Sequence, residues 1–406
     1  MRRFYYIIVA MLLPLLMMGQ DVETNVGQTP VYQPRVLLDS EQETWYEMGD
    51  SILIVPKSKP NFIRRVMNYL LDDKDHSKDK LWISVLGGPH YDSDTKFGLA
   101  LIGNAYFRVN GSSHEIQPSI MTARLDVTTT GYVSTRLNGN TLLANDRRRF
   151  NYEVEFESLP SYFWGINYDM CDINENETRM KRNQAHLNAE FLWRVAPKTY
   201  IGPVVNWNWV KAKELDRMEL LGGQPLCTRN YGFGFTADFD GRDQIVNADK
   251  GFYAHVTTLF YPKKLWNEYA FTRIDTRFCF YQPAWKGAVI ATELRGMFNV
   301  GNPVWAMMAQ PGDSYYLRGY YKGRYRDKHT ITFQAEIRQH IWNRLGAVVW
   351  GGCGSLFHDA GSMKNLLPNV GVGLRWAFRH RMNVRIDYGW GRRGEHGFTF
   401  AMNEAF

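Results

Sequence analysis

"ITFQAEIRQHI", residues 331–341, sets Ile331, Phe333, Ala335 and Ile337 on one side and Thr332, Gln334, Glu336 and Arg338 on the other. Successive side chains of a β-strand point to opposite faces, so a period of two marks a strand with one apolar and one polar face. "MNVRIDYGW" (382–390) repeats the scheme, with Met382, Val384, Ile386, Tyr388 and Trp390 opposing Asn383, Arg385, Asp387 and Gly389. "NYEVEFES" (151–158), "QAHLNAEFLWR" (184–194) and "GVGLRWAF" (371–378) follow the same rule.

The pattern begins at Leu81 and runs to Phe406 without a domain break. A soluble sandwich of roughly 100 residues needs about seven strands, and this run is far longer. It divides into about sixteen strand-like segments, as a large antiparallel barrel would. The turns between them alternate in length: 196–198, 343–344 and 379–381 are short, whereas 159–181, 211–229 and 299–328 are long. Short periplasmic turns and long outer loops are the outer-membrane arrangement. An Arg or Lys on the lipid face near midplane costs about 2–4 kcal/mol. Arg273, Asp275, Arg277, Glu293, Arg295, Glu336, Arg338, Arg375, Arg385 and Asp387 instead share the polar faces of their strands. The expected fold class is therefore all-β, a transmembrane antiparallel barrel. A mean hydropathy of −0.38 alongside 15% aromatic residues fits alternating faces whose averages cancel.

Met1-Arg2-Arg3 followed by the apolar run Phe4–Met18 reads as a cleaved signal peptide ending near residue 20. Residues 21–80 read as a periplasmic linker with one short helix at 60–72. The net charge of +7 is scattered, with no basic block longer than Arg147-Arg148-Arg149, so nucleic acid is not an expected partner. The cysteines at 171, 227, 279 and 353 have no metal spacing. His186, His255 and His340 read as isolated, and no hydrolase, metalloprotease or phosphate-loop motif is present. Neither catalysis, nor a cofactor, nor a metal is expected.

"SYYLRGYYKGRY" (314–325) breaks the alternation with five tyrosines and three basic residues. Within it Leu317-Arg318-Gly319-Tyr320 resembles the Val/Leu-Arg-Gly-Phe/Tyr motif of the BamA/TamA superfamily of outer-membrane barrels, the bacterial surface antigen family. Other marks stand in the same order. Asp240, Arg242 and Asp243 before Lys250-Gly251 resemble that family's Asp-x-Arg-Asp turn. Glu336-x-Arg338 resembles the strand after the motif loop, and "RIDYGWG" with the terminal Phe406 resembles the last two strands.

The resemblance covers about residues 81–406 and implies sixteen strands with the motif loop folded into the lumen, its Arg paired with acids of the inner wall. It also implies an outer-membrane location in a Gram-negative bacterium. The work implied is assembly, insertion or translocation of outer-membrane proteins, with lipid, client proteins or assembly subunits as partners. A plugged transport pore and a structural or surface-interaction barrel are the alternatives. "LWISVLGG" (81–88) followed by Pro89 suits a weak first strand at a seam where a client strand could pair. Two departures stand out. A full POTRA module is not expected in residues 21–80. The acid that receives the motif Arg is replaced by Gly352 within Trp350-Gly351-Gly352-Cys353-Gly354. Glu336 is then the expected first partner of Arg318, and Asp387 the second. Cys171 and Cys227, in neighbouring long loops, are expected to form a disulfide, with Cys279 unpaired.

Overall fold

The structure, a computed structural model, describes residues 35–39, 43–48, 51–56, 80–92, 95–109, 116–245, 247–363, 365–379 and 382–406. The signal peptide and the helix expected at 60–72 lie outside the described residues.

Strands β1 (Arg35–Asp39), β2 (Glu43–Met48) and β3 (Ser51–Pro56) form an antiparallel meander by themselves. This corrects the linker reading over those three strands alone. The three strands have five or six residues each and stand between Pro34 and Pro56, so their short runs had read as loop.

The second unit is one sheet of sixteen strands, each hydrogen-bonded antiparallel to its sequence neighbours. The first half comprises β4 (Leu81–Asp92), β5 (Lys96–Phe107), β6 (Ser119–Thr128), β7 (Val133–Leu143), β8 (Arg148–Phe163), β9 (Thr178–Ala196), β10 (Thr199–Lys213) and β11 (Cys227–Asp240). The second comprises β12 (Gly251–Tyr261), β13 (Phe271–Pro283), β14 (Ala288–Gly301), β15 (His329–Trp342), β16 (Leu345–Phe357), β17 (Leu366–Arg379), β18 (Met382–Trp390) and β19 (His396–Met402). The sheet curls until Cα atoms of β4 and β19 come within 8 Å of each other. Among the described residues no ladder joins those two strands.

Burial inverts the pattern of a soluble protein. Val85, Leu99, Val154, Phe235, Phe333, Val349 and Val372 are exposed on the outer face, while Asp126, Glu190, Glu293, Glu336, Arg385 and Asp387 are buried on the inner one. So large an apolar surface marks lipid or a partner rather than water. No helix among the described residues is long and apolar enough to cross a membrane. The spanning elements are strands, and all but β18 and β19 reach ten residues or more, against the roughly 9–11 needed. β8 to β11 have 16, 19, 15 and 14 residues, which explains why the loops after β8 and β10 are shorter than expected.

Candidate functional site

Residues 302–328 connect β14 to β15. The backbones of Ala309 and Asp327 pair in an isolated bridge, so the chain between them makes one closed excursion. At its base Trp305 is fully buried, with its backbone N–H donating to Gln224 Oε1 (2.6 Å) and its indole to the Pro225 carbonyl (2.9 Å). Leu317, Tyr320 and Tyr325 pack with Trp164, Tyr168, Cys171, Leu356 and Leu367 in one buried cluster. The tyrosines fill space, and Tyr320 also uses its hydroxyl, which donates to the Pro368 carbonyl (2.6 Å) and accepts from the Arg392 backbone (2.8 Å).

Arg318 is 1% exposed. Its Nη2 donates to Glu336 (2.7 Å) and its Nη1 to Asp387 (3.0 Å), so one guanidinium bridges β15 and β18. The group also lies 3.8 Å above the Trp350 ring. A planar fork suits this double duty where an ammonium would not. Both acids are shared: Glu336 takes Arg338 Nε (2.7 Å), and Asp387 takes Arg375 (2.6 Å) and Arg385 (2.8 Å). A buried charge without a partner carries a penalty of several kcal/mol, so an interlocked set is the form in which such groups persist.

Asn369 of β17 fills the space left by the missing acid. A Cβ built on Gly352 would stand 2.7 Å from Asn369 Oδ1, and that amide donates to the Arg318 carbonyl (3.0 Å). Asp387, two strands on, supplies the second carboxylate. Gly319 has φ +108°, and a Cβ there would meet the Gly389 backbone at 2.8 Å. Loop and wall touch backbone to backbone at that point, which requires glycine.

The same network reaches the short-turn end. Arg338 Nη2 donates to the Phe406 backbone oxygen (2.7 Å), while Glu404 accepts from Arg375 (2.7 Å) and Asn383 (2.8 Å). Phe406 was expected to end a strand. Instead β19 stops at Met402, Asn403 turns with φ +61°, and Phe406 packs inside against Ala248, Cys279, Tyr281, Ala291 and Ala405. Asp240 accepts two bonds from Arg242 (2.9 and 3.1 Å) and one from Arg149 (3.1 Å). Asp243 closes the same turn through the backbone N–H groups of Asp249 and Lys250 (3.1 and 3.3 Å).

Two expectations are overturned. All four cysteines are free: Cys227 is exposed, whereas Cys171 is buried in the loop-side cluster with its thiol donating to the Gly165 carbonyl. His186 and His255 are not isolated either. Glu153, Glu155 and His186 form one group, and Glu190, Asp238 and His255 another, with ligand atoms within 4.8 Å. Either set offers atoms to a cation. In the second, His255 bonds Asp238 (2.5 Å) and Thr257 (2.9 Å), and Thr257 bonds Thr236 (2.8 Å), so the side chains already engage one another. Cross-strand pairing places Asp238 opposite His255, a relation that sequence distance conceals.

No protein-family model and no curated protein matches the chain. Solved structures do. BamA from Haemophilus ducreyi lacking POTRA domains 1–3 matches 79% of this chain and 70% of its own, at TM-score 0.54 and 10% identity. CdiB from Acinetobacter baumannii matches 80% and 60%, at 0.54 and 10%. CdiB from Escherichia coli matches 89% and 66%, at 0.55 and 11%. The chain thus spans less than two thirds of either CdiB. At these identities the likeness is one of fold, and the fold is that of the BamA and CdiB barrels.

Proposed function

We propose that this chain is an outer-membrane barrel of the BamA/TamA type that assists the insertion or translocation of outer-membrane proteins, or serves a machine that does so. The observation that carries the reading is the pair of adjacent edges at β4 and β19, with no ladder between them among the described residues. A strand edge that lacks a ladder is unfavourable in lipid and can template another strand. A client strand could satisfy either edge by β-augmentation. A transport pore fits less well, because the loop carrying Arg318 and the residues around Phe406 both occupy the interior.

The test is reconstitution. Liposomes containing the full chain should speed the folding of a urea-denatured outer-membrane protein over empty liposomes. A cysteine-free variant bearing one new cysteine in β4 and one in β19 should lose that effect on oxidation and recover it on reduction. Equal folding rates with and without the chain would reject the reading.

A further inference from the structure

Arg182 of β9 and Arg326 of the loop are 4% and 1% exposed. Both donate to the same neutral acceptor, Gln310 Oε1, at 3.3 and 3.0 Å. Neither makes an ion pair among the described residues. Nε of Arg182 and Nε and Nη1 of Arg326 are buried without a hydrogen-bond partner.

The nearby carboxylates hydrogen-bond elsewhere. Glu157 accepts from Tyr132 and Gln184, lies 3.9 Å from Lys322, and offsets part of the Arg182 charge through space. Asp327 accepts from the backbones of Tyr168 and Lys328 and faces His358. Arg326 does lie over the rings of Phe163 (4.9 Å) and Trp305 (5.2 Å), which offer a weak quadrupole but no counter-charge. Burial and, after it, the charge of Arg182 push the Arg326 guanidinium down to about 9.

A guanidinium does not shed its proton in a protein, and no carboxylate among the described residues pairs with Arg326, so the balance of its charge has to come from outside the chain. A water molecule could accept one hydrogen bond but brings no charge. Gly323 (φ +84°) hems the pair on one side, where a Cβ would stand 3.4 Å from Gln310 Oε1 and 3.6 Å from Arg326 Nη2, and this favours a small anion. We propose that Arg182 and Arg326 hold one inorganic anion of halide size between them, and that this ion pins the loop to β9. The site is separate from the acids that hold Arg318 and does not depend on the assembly reading.

The test uses crystals of the full chain grown with bromide in place of chloride. The anomalous map should show bromide within hydrogen-bonding distance of both guanidinium groups. In detergent the unfolding midpoint should be higher in bromide than in gluconate at equal ionic strength. Arg326→Met, which keeps contact with the two rings, should lose the peak and the bromide dependence. Water or a carboxylate between the arginines, bromide at surface positions only, or equal midpoints in the two salts would overturn the proposal. If the variant fails to fold, the wild-type map decides alone.

Discussion

Asp387 receives three guanidinium groups and Glu336 two, so the two acids should not be equivalent on mutation. Asp387→Asn leaves Arg318, Arg375 and Arg385 short of charge at once, and should destabilise the barrel by about 3–5 kcal/mol. Arg318→Met should cost less, about 2–3 kcal/mol, because both acids keep other arginines. Arg318→Lys should fall close to Arg318→Met, since a single ammonium cannot span both carboxylates. Heat-induced loss of the compact form on detergent gels would rank the three, and a reversed order would contradict the shared-acid geometry. The cysteines give a second check. Cys227 should react with a thiol reagent in the folded protein, and Cys171 only after denaturation, with no disulfide mass loss at any stage. At this scale the motif resemblance named Arg318, and alternation put Glu336 and Asp387 on the polar faces of their strands. Neither revealed Asn369, Glu404 or the pair Arg182 and Arg326. Those contacts join residues up to 128 positions apart across the lumen, and a period of two carries no information about which inner faces meet.

The loop at 302–328 is held as an element by backbone contact as much as by charge. Gly319→Ala meets both the positive φ and the Gly389 backbone, a strain of about 1–3 kcal/mol. The loop should then lift from the wall. Trypsin should cut at Arg318 or Arg324 in Gly319→Ala while wild type, where both are buried, resists at these sites. Resistance in both would show that the Gly319 contact does not hold the loop. The tail at 403–406 behaves as a second such element. Its deletion strips partners from Arg338, Arg375 and Asn383, and should lower stability by about 3–5 kcal/mol. Strand boundaries were legible to within a few residues where apolar and polar residues alternate. The tail was not, because "FTFAMNEAF" continues an aromatic pattern past the point where Asn403 turns the backbone inward. The meander of β1 to β3 was missed for a related reason, since five- and six-residue strands offer too few alternations to stand above loop composition.

At the scale of the whole molecule, one continuous charge network links the motif loop to the tail. Arg318, Asp387, Arg375 and Glu404 form an unbroken chain of contacts across the lumen. Such an interior should conduct ions poorly, and a planar bilayer should show large steps only when residues 311–327 are deleted. A large conductance in the intact chain would favour the pore alternative. Burial of Arg318 inside the barrel, between two acids on separate strands, holds this network together. An experimental density map of the full chain in a lipid nanodisc tests that placement most directly. The Arg318 guanidinium should be stacked on Trp350 and hydrogen-bonded to both Glu336 and Asp387. A guanidinium outside the barrel wall, or more than about 6 Å from both carboxylates, would contradict it.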